Sequence, residues 1–158
     1  MSGTNILNVV LVNPEIPPNT GNVGRLCLAV GARLHLVRPL GFGLDDRSLK
    51  RAGLDYWHKL DLVVWDTFRQ YLSTVNPDDL VLTSSKRGRE YYRLTYRTGD
   101  HILFGPETSG LQADVFERFP GRIARIPVNL DKVRCLNLST SAGIMVYEAL
   151  RQTGNLPS

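Results

Sequence analysis

The sequence is poor in the residues that mark disulfide scaffolds, metal knuckles and membrane proteins. Its two cysteines, Cys27 and Cys135, form neither a disulfide framework nor a CxxC metal site, and no other metal-ligand cluster stands out. Its longest apolar stretch, residues 6–12, is interrupted by Asn8 and is far shorter than the roughly 20 residues of a membrane span. No basic segment followed by an apolar block opens the chain, so we expect no signal peptide, no membrane association and a cytoplasmic location.

Strong compositional bias is also lacking. Charged residues make up 22% and hydrophobic residues 42% of the 158 residues, close to globular averages, which argues against disordered, collagen-like and coiled-coil classes. No linker or repeat divides the chain, so we expect one domain over residues 1–158. The net charge of +4 permits an anionic partner such as nucleic acid, although an ordinary solvated surface gives the same value.

Short apolar runs alternate with helical patterns along the chain. Six runs are nearly continuous in Val, Leu and Ile, which predicts strands covered on both faces at residues 8–12, 34–37, 62–65, 80–83, 102–104 and 123–126. The intervening patterns predict helices at residues 22–30, 45–52, 67–75, 113–119 and 139–152, with N-caps at Asp66 and Ser139. The last helix has one apolar face: Ala142, Met145, Val146, Ala149 and Leu150. This alternation predicts an α/β fold with a mostly parallel sheet.

Three loops that follow predicted strands have unusual sequences. Parallel sheets bind ligands beyond the carboxyl ends of their strands, so these loops are where chemistry is expected. Residues 13–21 contain three prolines and two asparagines, residues 105–111 read Gly-Pro-Glu-Thr-Ser-Gly-Leu, and residues 127–137 end in Arg-Cys-Leu-Asn. Rigid prolines and permissive glycines allow backbone groups to approach a ligand closely. Each loop alone also fits a plain connector with helix caps.

Several familiar fingerprints are missing, and one basic segment stands out. The chain has no GxGxxG after a strand, no P-loop and no GxSxG, which weakens dinucleotide, nucleotide-triphosphate and hydrolase interpretations. Residues 86–93 mix cations with Tyr91 and Tyr92, as nucleic-acid surfaces do, but a solvated loop fits the same pattern. His35 and His101 lie in or beside strands without a partner that makes them ligands or bases, so we expect them to pack in the core.

Together, the three loops resemble those of the SPOUT class of S-adenosylmethionine-dependent RNA methyltransferases. Within that class the chain is similar to the small stand-alone tRNA 2'-O-methyltransferases of the wobble nucleotide, the TrmL type, over residues 8–152. The resemblance rests on residues 13–27, 53–56, 104–111, 134–139 and 147–150. It implies a Rossmann-like sheet with helices on both faces and a deep C-terminal trefoil knot involving residues 80–149. It also implies a homodimer with the first and last helices at the interface, near Tyr147, so that one subunit's Arg25 approaches the other's cofactor.

The resemblance further implies a set of site residues. S-adenosylmethionine would bind mainly through the backbone of Thr83, Gly105, Glu107, Ile126, Cys135 and Leu136, with Glu107 supporting either the loop or the cofactor. Four polar residues would surround the reacting centre: Asn22, Arg25, Arg134 and Asn137. The chain departs from the family pattern in the third loop. Cys135 stands where relatives commonly have serine, and residues 129–133 form a slightly longer segment than usual.

The implied reaction is in-line methyl transfer to the ribose 2'-hydroxyl of cytidine or uridine 34 in a tRNA anticodon loop. A guanidinium is a poor base, so Arg25 is expected to hold a phosphate and stabilise developing alkoxide charge, with a desolvated arginine base as the alternative. Residues 47–51 and 86–93 are expected to hold RNA phosphates. Three other functions stay open: methylation of ribosomal RNA or another tRNA position, a non-catalytic RNA-binding dimer, and an unrelated α/β enzyme with a nucleotide cofactor.

Overall fold

Within the described residues, seven strands form one parallel sheet. The computed structural model describes residues 5–44, 47 and 54–158, without the side chains of residues 54–56. The strands are β1 (Asn8–Val12), β2 (Arg33–Val37), β3 (Leu62–Trp65), β4 (Leu80–Ser84), β5 (Arg89–Glu90), β6 (His101–Phe104) and β7 (Ile123–Arg125). Their order across the sheet is β3-β2-β1-β6-β4-β7-β5, and every pairing is parallel.

Helices cover both faces of this sheet, as the sequence predicts. The α-helices are α1 (Pro17–Val30), α2 (Phe68–Leu72), α3 (Ala113–Arg118) and α4 (Leu138–Thr153), and 3-10 helices occupy Leu54–Lys59, Pro77–Asp79 and Tyr91–Arg93. Alternate residues of β1 serve the two faces: Val9 and Leu11 pack in the cluster that contains α1 and α4, whereas Val10 and Val12 pack with α2 and α3. No described helix has the length and apolarity needed to cross a membrane.

The predicted elements agree with the structure in their cores and differ at their ends. All six predicted strands are present, and the five apolar positions predicted for the last helix are all buried in α4. The seventh strand, β5, was missed because its two residues are polar and show no apolar pattern. The helix predicted at residues 45–52 lies outside the described residues, apart from Arg47.

Four predicted helix ends are wrong. Helix α2 ends at Leu72 rather than at residue 75, because the hydroxyls of Ser73 and Thr74 donate to backbone carbonyls of its last turn. The first helix begins at Pro17 rather than Asn22, because prolines fit the first helical turn, where backbone N–H groups have no helical partner. The caps are Thr67 and Asn137 rather than Asp66 and Ser139. The Thr67 hydroxyl accepts from the backbone of Gln70, and the Asn137 amide oxygen accepts from the backbone of Ser139.

The two strand histidines pack beneath α2, as predicted, in a network of neutral hydrogen bonds. Trp65 Nε1 donates to His35 Nδ1 over 3.0 Å, which leaves His35 Nε2 to donate to Asn8 Oδ1 at 2.9 Å. The Tyr71 hydroxyl lies 2.7 Å from His101 Nδ1. Burial lowers the pKa of His35 to about 3 and that of His101 to about 4, since a charged imidazole is poorly solvated there.

Candidate active site

A pocket of about 300 Å³ lies at the carboxyl edge of the sheet, at the low end of the range for small-molecule sites. It is enclosed by the loops after β4, β6 and β7 and by the first turn of α4. Apolar groups such as Ile126 and Leu138 form part of its wall, while Lys86 and Arg134 contribute positive charge. This mixed lining suits a ligand that has both apolar and charged parts.

Most of the predicted site residues lie on this one pocket. Its lining includes Arg134 and all six residues predicted to hold the cofactor: Thr83, Gly105, Glu107, Ile126, Cys135 and Leu136. These residues come from three loops that are up to about fifty positions apart in sequence, and the parallel sheet brings them together at one edge. Cys135 and Arg134 are exposed, whereas Leu136 is half-buried.

The end of β4 is fixed by hydroxyl groups. Thr83 Oγ1 donates to the Leu103 carbonyl over 2.7 Å, which ties β4 to its neighbour β6. Ser84 Oγ then accepts from the backbone N–H groups of Lys86 and Arg87, at 3.1 and 3.0 Å. These bonds turn the chain immediately after the strand and place Lys86 in the pocket wall.

The loop after β6 requires glycine at its first position. A Cβ on Gly105 would overlap the backbone of Gly110 and Leu111, because the loop folds back on its own beginning. Gly110 donates its N–H to the Pro106 carbonyl over 2.8 Å and has a φ of +68°, in the left-handed region. Any side chain at Gly105 would therefore open this loop and deform the pocket wall.

Two carboxylates link the loop after β6 to the segment before α1, because each accepts hydrogen bonds from the other's segment. Glu107 accepts from the backbone N–H groups of Glu15 and Ile16, both at 2.8 Å, and from Asn19 Nδ2 at 3.3 Å. Glu15 accepts in return from the Thr108 backbone N–H at 3.0 Å and from its hydroxyl at 2.8 Å. These bonds from Thr108 lower the pKa of Glu15. The Glu107 carboxylate thus supports the loop, one of the two roles expected for it.

Asn137 lies between two lining residues of the pocket and is the N-cap of α4. Its Oδ1 accepts from the Ser139 backbone at 2.8 Å and from the Ser139 hydroxyl at 2.6 Å. Its neighbours in sequence, Leu136 and Leu138, line the pocket, and Asn137 itself is exposed. The predicted site residue is therefore also the residue that begins the helix.

Asn22 and Arg25 are not brought to the pocket of their own chain. Both are exposed on α1, three positions apart and hence on neighbouring parts of one helix face, and neither belongs to the pocket lining. Among the described residues, the Arg25 guanidinium has no hydrogen-bond or ion-pair partner. Two of the four predicted catalytic residues thus lie outside the pocket lining of their own chain.

Sequence reasoning missed several contributors to the site. Ser84, Leu138 and Ser141 line the pocket, and Lys86 was noted only as part of a basic segment. The position of these residues directly after a predicted strand, or at the start of a predicted helix, was an available signal. The role of Glu15 had no such signal, because its partner Thr108 is 93 positions away.

Comparisons with known proteins agree along nearly the whole chain. Residues 6–147 match the model of the SpoU rRNA Methylase family. The chain is 43% identical over 150 residues to the tRNA (cytidine(34)-2'-O)-methyltransferase of Escherichia coli strain K12, a match that covers 94% of this chain and 95% of that protein.

Two solved structures extend the agreement to the fold. One, described as "Structural insights into the 2-OH methylation of C/U34 on tRNA", has a TM-score of 0.86 and 44% identity, covering 96% of this chain and 93% of its own. The other is an AdoMet-bound rRNA methyltransferase from Sinorhizobium meliloti, with a TM-score of 0.79 and 25% identity, covering 94% of this chain and 57% of that longer one.

Proposed function

The chain belongs to the SpoU rRNA methylase family, and we propose that it methylates the ribose 2'-hydroxyl of the wobble nucleotide, cytidine or uridine 34, of tRNA. The observation that carries the proposal is that one pocket gathers all six residues expected to hold the cofactor, in a chain that matches wobble-nucleotide methyltransferases over nearly its full length. The family match argues against an unrelated α/β enzyme, and the named relatives favour tRNA over ribosomal RNA.

The pocket fits S-adenosylmethionine, the methyl donor of this family. Apolar side chains of Ile126 and Leu136 suit an aromatic base, and the tight glycine loop after β6 exposes backbone groups for polar contacts. We propose that Thr83, Gly105 and Cys135 complete the set that holds it, while Glu107 acts through the loop. When bound, the cofactor supplies an electrophilic methyl group on a sulfonium sulfur, so the leaving group needs no further activation.

The protein's own residues must then position the ribose and ease the loss of its hydroxyl proton. We assign the main role to Arg25, whose positive charge would hold a neighbouring phosphate and stabilise negative charge that develops on the 2'-oxygen. Arg134 at the pocket wall and Asn137, which lies next to the lining residue Leu136, are suited to orient the nucleotide. Asn22, close to Arg25 on α1, would assist it.

These assignments require two chains. We propose a homodimer in which α1 and α4 form the interface, so that Arg25 of one protomer completes the pocket of the other. The exposure of Arg25 and its absence from the lining of its own pocket support this arrangement. Tyr147 on α4 is a large apolar side chain that is 47% exposed in the single chain, and a partner would cover it.

Two further parts of the proposal concern the chain path and the RNA. We propose that residues 80–149 form the trefoil knot of the SPOUT class, and the match to the SpoU family over residues 6–147 supports this. Residues 86–93 would hold RNA phosphates together with exposed Arg47, whereas Lys50 and Arg51 lie outside the described residues. Action on tRNA would place the protein in the cytoplasm.

Nucleoside mass spectrometry tests the proposal. The protein and S-adenosylmethionine are incubated with unmodified tRNA transcripts and with tRNA from a strain that lacks the gene. We expect a new 2'-O-methylated cytidine or uridine in anticodon-loop fragments. A product only in ribosomal RNA would support the alternative target, and cofactor binding without any RNA product would support a binding-only role.

A further inference from the structure

The described residues carry an exposed aromatic side chain in a strongly basic segment beside the pocket. Residues 84–93 contain four cations and a single acid, Glu90. Within them Tyr92 is 50% exposed, among the most exposed large hydrophobic side chains of the described part. An exposed aromatic ring among cations is the arrangement with which proteins bind single-stranded nucleic acid.

The sheet register places this segment at the pocket. Thr83 of β4 and Arg89 of β5 both align with Ala124 of β7, and Thr83 and Ala124 line the pocket. Two strand spacings separate β5 from β4, a lateral distance of about 10 Å. Because the strands are parallel, the chain leaves β5 at the same edge of the sheet at which the pocket opens. The turn Tyr91–Arg93 therefore lies about two strand widths from the proposed cofactor.

The Tyr92 ring is held by its neighbours rather than left loose. It meets the Tyr91 ring edge to face, with centroids 5.2 Å apart and an interplanar angle of 84°. Tyr91 is itself fixed, because the Tyr96 hydroxyl donates to its carbonyl over 2.7 Å and its side chain packs against the core. The Arg93 guanidinium lies 5.9 Å from the Tyr92 ring centre. A pre-positioned ring loses little conformational entropy when a partner stacks on it.

The charges around the ring suit a polyanion. Glu90 is shared by two arginines, at 3.4 Å from Arg93 and 3.6 Å from Arg125, so it fixes their positions without neutralising both. Lys86, Arg87 and Arg89 are exposed, and none has an ion-pair partner within the part of the chain that the structure describes. The cations thus extend from the pocket wall at Lys86 to the turn at Arg93.

We propose that Tyr92 is a stacking platform for an unpaired nucleobase of the tRNA anticodon loop, next to the nucleotide that is methylated, and that Arg93 and Arg89 hold the adjoining phosphates. The proposal rests on the proposed function and adds a residue that determines how the substrate binds. Unstacked loop bases stack on aromatic side chains with little regard to sequence, and each such contact is worth a substantial part of RNA affinity. Phosphates alone would need only the cations.

Steady-state methylation of tRNA by the intact protein tests this role. Tyr92→Ala should raise the tRNA KM roughly 5- to 100-fold with kcat and the Kd for S-adenosylmethionine little changed. Tyr92→Phe keeps the ring and should behave like the wild type. Leu156→Ala removes a similarly exposed apolar side chain elsewhere and is the control for unspecific surface effects.

A fluorescent base identifies the contact directly. Loop nucleotides next to position 34 are replaced singly by 2-aminopurine, and the wild type should quench one of them through stacking, whereas Tyr92→Ala should not. An unchanged KM in Tyr92→Ala, or quenching that survives in this variant, overturns the proposal. Residues 84–93 would then bind another partner, such as an acidic protein. If the wild type itself fails to methylate tRNA, the proposed function fails, which is a separate outcome.

Discussion

Glu15 and Glu107 each bind the other's loop, although they are 92 positions apart in the sequence. The Glu107 carboxylate accepts a hydrogen bond from the backbone N–H of Glu15 at 2.8 Å, and the Glu15 carboxylate accepts from the backbone N–H and the hydroxyl of Thr108. The two carboxylates thereby join the loop after β6, which forms part of the pocket, to the segment that leads into α1. Since α1 carries Asn22 and Arg25, this crossed pair fixes the cofactor loop relative to the helix proposed for catalysis.

The first prediction concerns this crossed pair. Glu107→Ala removes two charge-assisted hydrogen bonds to backbone amides and should lower the free energy of unfolding by about 1–3 kcal/mol. It should also weaken cofactor binding, because the loop of Gly105 and Glu107 would lose its anchor. Urea denaturation and calorimetry measure the two effects. Glu107→Gln keeps one acceptor oxygen, so its free energy of unfolding should lie between those of the wild type and Glu107→Ala. A Glu107→Ala protein with wild-type stability would contradict this role.

The second prediction concerns Arg25. Arg25→Ala should reduce kcat for methyl transfer by about 100-fold or more, since it removes charge stabilisation at the developing alkoxide. The Kd for S-adenosylmethionine and the melting temperature should stay near the wild type, because Arg25 is exposed and outside the pocket lining. Arg25→Lys keeps the charge but not the paired N–H donors of the guanidinium, and it should recover part of the rate. Lost cofactor binding, or full turnover, would show that the assignment is wrong.

A third prediction follows from a site shared between protomers. Arg25→Ala and Leu136→Asp should each be inactive alone, the second because it places a charge in the apolar wall of the pocket. When the two are refolded together, each mixed dimer holds one site built from an intact pocket and an intact Arg25. Activity should then recover to about a quarter of the wild-type value. A mixture that stays inactive while mixed dimers form would argue for a site within one chain.

The fourth prediction is acid destabilisation through the buried histidines. The folded pKa values of His35 and His101, about 3 and 4, lie below the ordinary value of 6.5. At a pH between the folded and the ordinary value, the unfolded chain therefore binds more protons than the folded chain. Their contribution to stability is therefore complete above about pH 6.5 and is lost as pH falls. Between pH 7 and pH 5 each histidine should lower the free energy of unfolding by up to about 2 kcal/mol.

Urea titrations at the two pH values measure this loss, and His101→Gln provides the comparison. It removes one titrating group while keeping a side chain that can pair with the Tyr71 hydroxyl. Its loss of stability between pH 7 and pH 5 should be smaller than that of the wild type. Equal losses of stability in the two proteins would show that His101 does not titrate on unfolding in this range.

The sequence predicts the regular parts of this fold because local patterns determine them. The continuous Val, Leu and Ile runs of β1, β2 and β3 reflect strands covered on two faces, and the five apolar positions of α4 repeat with helical spacing. The short strand β5 has no such pattern, since its position depends on pairing with β7 rather than on its own residues. The early start of α1 could not be predicted, because its prolines indicate a loop although proline also fits the first turn of a helix.

The candidate site could be predicted only in part. The three loops were visible because strand ends of a parallel sheet meet at one edge, and the residues within them were assigned through the resemblance. The crossed carboxylates Glu15 and Glu107 depend on a contact between distant segments that no local pattern encodes. Likewise, the separation of Arg25 from its own pocket appears only when both are placed in three dimensions.

One pair of tRNA substrates shows whether the methyl group goes to the 2'-oxygen of nucleotide 34. Two versions of one tRNA are assembled from synthetic RNA, identical except that nucleotide 34 carries either its 2'-hydroxyl or hydrogen. Both are incubated with the protein and S-adenosylmethionine, and the incorporated methyl groups are counted by mass spectrometry. We expect one added methyl on the hydroxyl version, at nucleotide 34, and none on the deoxy version. Equal methylation of both would place the reaction at another atom and contradict 2'-O-methylation of nucleotide 34.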